Sequence, residues 1–91
     1  MVMSMLEKVK LALRLRNNLF DDEINLYIDA CKSNLTHPGI NPNKFVETDS
    51  AVMNAVICYV KWQMNFQGKA EQWENIYKDL RLSLVLDSRY K

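Results

Sequence analysis

The chain has 91 residues and a formal net charge of +1. That length suits one small domain with a modest core, since a chain of this size withdraws only about 60–65% of its unfolded surface from water. The near balance of charge excludes general attraction to nucleic acid or acidic membranes.

Cys31 and Cys58 lack the close paired spacing of a metal knuckle or redox motif. Each falls on an apolar helix face, so they read as reduced core residues of an intracellular protein, ahead of a disulfide. No apolar segment with a small-residue cleavage site follows Met1, so no secretory signal is expected. The repeated methionines of MVMSM leave the natural start open, and Met1 to Ser4 read as a leader, appended residues or an upstream start.

The apolar spacing predicts an all-α fold in a single domain over residues 1–91, a small bundle of four main helices at about 4–15, 21–36, 49–67 and 70–86. In the first, Leu6, Val9 and Leu13 share a face, and Ser4 followed by Glu7 fits a capping box. Asn17 and Asn18 interrupt it, and Asp21, Asp22 and Glu23 open the second helix with charges that suit a helix N-terminus. There Ile24, Tyr27, Ile28, Cys31 and Leu35 recur at helical spacing, with Leu26 and Ala30 off that face. Thr36, His37, Pro38 and Gly39 stop it.

His37, the sole histidine, has no Cys, Asp or Glu at ligand spacing and reads as a loop residue. Ile40, Phe45 and Val46 lie in a turn-rich connection and are expected to fold back onto the core, with Thr48 or Asp49 capping the next helix.

The run from Ala51 to Phe66 is the organising element. Met53, Val56, Ile57, Val60 and Met64 form one face, and only Asn54, Lys61 and Asn65 make a polar strip. A helix apolar nearly all round is buried in protein or spans a membrane, and the polar interruptions leave it short of the roughly 18 apolar residues a span needs. Gly68 reads as its left-handed cap or a hinge. In the last helix Trp73, Ile76, Tyr77, Leu80 and Leu84 share a face, yet Leu82, Val85 and Leu86 add apolar surface elsewhere, so this helix wants two partners. The tail Asp87 to Lys91 carries no pattern and is expected to be loose unless docked.

Charge is unevenly placed. Lys8, Lys10, Arg14 and Arg16 face only Glu7 in the first sixteen residues, while Asp21, Asp22, Glu23 and Asp29 face only Lys32 over Asn17 to Thr36. This leaves open two complementary solvated faces or an interaction patch. The acids at 21–23 read as helix-start charges, since no Gly-containing calcium loop follows.

No phosphate loop, dinucleotide fingerprint, zinc spacing or nucleophile elbow occurs, so an enzyme is not expected and no metal or cofactor is implied. A DNA reader would carry an exposed helix rich in Arg, Lys, Asn and Gln, whereas the second helix is acidic, the third shows one cation and the fourth is mixed. Trp62, Phe66 and Trp73 read as core or subunit interface ahead of an aromatic ligand box.

The segments LEKVKLALRL (Leu6 to Leu15), FDDEINLYIDACKSNL (Phe20 to Leu35), TDSAVMNAVICYVKWQMNF (Thr48 to Phe66) and LRLSLVLDSRYK (Leu80 to Lys91) resemble the small phage head-tail connector family, the neck adaptors of long-tailed phages and their prophage relatives. The DDEI start at Asp21 to Ile24 and the spaced pattern from Ala51 to Val60 match that family's packed helices. The resemblance departs where the central helix continues through Lys61, Trp62, Gln63 and Met64.

That resemblance implies a non-enzymatic, all-helical subunit forming a homo-oligomeric ring beneath the portal protein, with a tail-side neck or completion protein as further partner. It places the protein in the virion neck, and in the host bacterial cytoplasm during assembly, with no cofactor, no membrane and only nonspecific contact with the DNA backbone. The last helix and the tail after Leu86 correspond to the part that reaches towards the portal. A ring subunit needs two different contact surfaces. Trp62, Phe66, Leu82, Val85 and Leu86, with Arg89 and Tyr90, are the expected subunit or portal interface. Lys8, Lys10, Arg14 and Arg16 are the candidate channel or inter-subunit charges. A small DNA-binding or regulatory helical domain is the alternative.

Overall fold

In a computed structural model, residues 3–36 and 39–91 are described. Four helices form: α1 (Met5–Leu13), α2 (Asp21–Thr36), α3 (Ser50–Gln63) and α4 (Ala70–Leu86), with single 3-10 turns at Pro42–Lys44, Phe66–Gly68 and Ser88–Tyr90. The all-α bundle is as expected. His37, and with it part of the stop after α2, lies outside the described residues.

Local chemistry explains the starts. The Glu7 amide donates to Ser4 Oγ at 3.1 Å and the Ser4 amide returns to Glu7 Oε1 at 3.0 Å, the reciprocal capping box. These bonds from Ser4 hold the Glu7 carboxyl below its ordinary range. Asp49, rather than Thr48, caps α3, its Oδ1 accepting from Ala51 at 2.9 Å and Val52 at 3.1 Å.

Two helix ends fall short of expectation. α1 stops at Leu13, not 15, because Arg14 turns left-handed at φ 60°, and the amides of Arg14 and Leu15 donate to Leu11 and Lys10 carbonyls. That is a Schellman closure made without glycine, at about 1 kcal/mol of backbone strain. α3 stops at Gln63, not 67. Asn65 at φ 50°, Gln67 at φ 58° and Gly68 at φ 69° carry the chain round the corner, and Asn65 Oδ1 accepts from Ala70 at 3.1 Å to cap α4.

α3 lies at the centre, packed on α1, α2 and α4. It buries Val52, Met53, Ala55, Val56, Cys58 and Val60, while Ile57 and Met64, expected in the core face, are half-buried. Around it stand Val9 and Leu13 of α1, Ile24, Ile28, Cys31 and Leu35 of α2, and Tyr77 and Leu84 of α4. Ile40 is buried and Phe45 packs against the core, but Val46 remains exposed. Both cysteines are buried free thiols.

The tail corrects the expectation of a loose segment. Ser88–Tyr90 forms a 3-10 turn, capped by Asp87 Oδ1 accepting from Arg89 at 2.9 Å, and Tyr90 is buried. The Tyr90 hydroxyl donates to the Asp49 carboxylate at 2.8 and 3.0 Å, and its carbonyl accepts from the Asn41 amide at 2.6 Å. Asp49 thus joins the tail to the start of α3. Asp49→Ala, losing a cap and a charge-assisted bond, is expected to cost about 2 kcal/mol. In a double-mutant cycle by urea unfolding that cost should shrink when Tyr90 is already Phe. Full additivity would show that the clasp contributes nothing.

Candidate assembly surfaces

The sequence-expected interface residues divide when placed in the fold. Leu82 and Leu86, four residues apart and so on one face of α4, are 57% and 70% exposed. Val85 is half-buried, and together with Leu86 it walls an open, mainly apolar groove of about 680 Å³, completed by Gly39, Ile40, Asn41, Pro42 and Lys91. Gly39 makes the groove possible, because a Cβ there would stand 1.9 Å from the Leu35 carbonyl oxygen and 3.4 Å from Val85 Cγ2. Any side chain at 39 would displace the loop from the end of α2.

Trp62 and Phe66 are half-buried in the chain's own packing between α3 and α4. Trp62 meets Tyr59 edge-on at 5.4 Å between centroids and Tyr77 at 6.0 Å, while Phe66 meets Trp73 at 6.3 Å. Trp73 Nε1 donates to the Phe66 carbonyl at 3.2 Å. Lys61 Nζ lies over both rings, 4.4 Å from the Trp73 centroid and 5.0 Å from that of Phe66, the geometry of a cation–π contact. Arg89 is exposed, with its guanidinium on Asp87 at 2.6 Å, which holds the Asp87 carboxyl down to about 2. Tyr90, buried on Asp49, presents no free side chain.

The four cations of the first segment differ in their surroundings. Lys8 donates to the Glu47 carbonyl, and Lys10 bridges Asp21 at 2.9 Å and Asn18 at 3.0 Å. Arg14 is exposed, and Arg16 lines a hollow with Met3, Glu7, Lys10, Leu11 and Leu15.

A second apolar surface went unnoticed at the level of sequence. Leu19 is 77% exposed with Phe20 partly exposed beside it, and elsewhere on the chain Leu26 is 67% and Leu11 68% exposed. Leu19 lies between helices and Leu26 off the α2 face, and those positions were the available signal. The corner bearing Leu19 is held in shape: its own amide donates to Asn17 Oδ1 at 3.1 Å and that of Asp21 to the Asn18 carbonyl at 3.3 Å.

The thiols are poor nucleophiles. Burial pushes Cys31 up to about 12 and raises Cys58 as well, which disfavours the reactive thiolate. Among the described residues no group of three or more His, Cys, Asp and Glu could hold a metal ion, and no helix is long and apolar enough to cross a membrane.

A family model described as phage connector protein matches residues 5–91. No curated protein and no solved structure matches the chain. With all four helices and the clasped tail inside the matched span, the chain belongs to the phage connector protein family.

Proposed function

We propose that this protein is a structural head-tail connector of the virion neck, working as a ring of copies that joins the portal of the DNA-filled head to the tail-side neck protein, after assembly in the host bacterial cytoplasm. The observation that carries the reading is the family match over residues 5–91. The exposed leucines of α4 and of the corner before α2 support it, because a ring subunit must offer two unlike surfaces. The mechanism is docking, in which apolar area leaves water on assembly, with no chemical step and no cofactor. The DNA-reading alternative draws no support from α2, whose first turn is acidic, or from α3, whose Lys61 lies over aromatic rings.

The test is co-expression with the cognate portal protein, followed by electron microscopy of the purified particles. The wild-type chain should cap the portal with a ring. Leu82→Asp combined with Leu86→Asp should keep the monomer's helicity and melting temperature within a few degrees, since both side chains already face water, and should abolish the ring. A wild-type chain that associates with neither portal nor tail-side neck protein overturns the connector reading.

A further inference from the structure

The two apolar surfaces sit at opposite ends of one helix. Leu19 and Phe20 immediately precede α2, and Gly39 and Ile40 of the groove follow it, with the Ile40 amide bonded to the Leu35 carbonyl at 2.9 Å. Sixteen helical residues hold those ends about 24 Å apart. One molecule therefore cannot use its corner to fill its own groove, but a neighbouring copy can.

Charge matches the two surfaces. Lys91 stands on the groove wall, and the neighbouring acid, Asp87, is already paired with Arg89. At the corner Asp21 is spent on Lys10, which leaves Asp22 and Glu23 as exposed acids beside Phe20. Glu23 also accepts from Tyr27 at 3.2 Å, while Asp22 points its charge at solvent from the helix start. An apolar pair flanked by acid thus faces an apolar groove flanked by base. The corner's backbone is fixed by Asn17 and Asn18, so little ordering entropy opposes its insertion.

We infer that the Leu19–Phe20 corner of one copy seats in the Val85–Leu86 groove of the next, with Asp22 against Lys91. Resting on the connector reading, this assigns that ring's subunit contact. Because the two surfaces differ, the contact is heterologous and repeats from copy to copy until it closes. The mainly apolar groove supplies the attraction, and the charge pair fixes which way round the corner enters.

Two variants with one added cysteine each, Leu19→Cys and Leu86→Cys, test it with a short bis-maleimide at millimolar protein concentration. The wild type serves as control, since Cys31 and Cys58 are buried. Mixing the variants should give a cross-linked pair that neither variant gives alone, and the doubly substituted chain should give a ladder of multimers. Asp22→Lys and Lys91→Glu should each cut the mixed product severalfold, and combining them across partners should restore it. Like-with-like products, or no mixed product, overturn the contact. If the wild type still rings the portal in that case, the connector reading stands and only the assigned contact fails. If it associates with neither portal nor tail-side neck protein, both fall.

Discussion

Replacing Tyr77 with alanine is expected to destabilise the fold by about 3–5 kcal/mol, as for other large aromatic truncations in cores. In a domain of this size that corresponds to a fall in melting temperature of roughly 15 to 30 °C. Tyr77 is 2% exposed, its ring lies 5.1 Å from that of Tyr59 at an edge-on angle, and its hydroxyl donates to Asn34 Oδ1 at 2.5 Å. One turn further along α4, the Arg81 guanidinium donates twice to the Asn34 carbonyl, at 3.0 and 3.1 Å. Tyr77 and Arg81 are therefore the points where α4 reaches across to α2, and removing Tyr77 leaves a cavity and only the Arg81 link. Tyr77→Phe, which keeps the ring, should cost only about 1 kcal/mol. Thermal and urea unfolding followed by circular dichroism measure both. An alanine variant within 1 kcal/mol of wild type would show that α4 is held by its other contacts.

Stability should also fall in alkali. The Cys31 thiol is pushed up to about 12 by burial, and burial likewise raises Cys58 and the Tyr77 hydroxyl. For each group the folded value exceeds the unfolded one, so the unfolded chain loses its proton first and gains stability as pH rises. The stabilisation is complete below the unfolded thiol value of 9.0 and disappears as pH climbs towards the folded value. Above pH 9 the Cys31 thiol therefore removes on the order of 1 kcal/mol per pH unit until it ionises in the folded chain, and the other two groups act in the same direction. Against a total of ~5–15 kcal/mol for a domain, the protein should be clearly less stable at pH 11 than at neutrality. Urea midpoints should be flat from pH 7 to 8.5, then fall, and Cys31→Ala should shallow the slope. A midpoint unchanged at pH 11 would mean that the thiol ionises in place.

The helices were legible because their signals are local. Apolar residues at helical spacing, the Ser4 and Glu7 pair and the Asp49 cap all act within a turn or two. Their ends were harder, because Arg14, Asn65 and Gln67 take left-handed conformations that glycine normally announces. Trp62 and Phe66 looked surplus when the faces of α3 were counted alone. It is α4 that lays Tyr77 and Trp73 against them, a fact of packing that no single-helix periodicity contains. The same holds for Tyr90, whose partner Asp49 is 41 residues away in the chain. Of the proposed assembly surface, Leu82 and Leu86 could be read from their position off the α4 core face, whereas the groove beside them depends on where the loop at Gly39 returns.

The clasp between Tyr90 and Asp49 sets a clock as well as a shape. A lone 3-10 turn has no persistence of its own, so the last residues stay in place only while the Tyr90 ring is buried, its hydroxyl is on Asp49 and its carbonyl is on Asn41. Short segments held by few anchors open by local excursions, far more often than the core unfolds. Lys91 and Asn41 both line the groove, so each such excursion dismantles a wall of it while α1 to α4 remain intact. The groove is therefore expected to open more readily than the fold carrying it unfolds, and an occupant resting on Lys91 and Asn41 would hold the clasp shut.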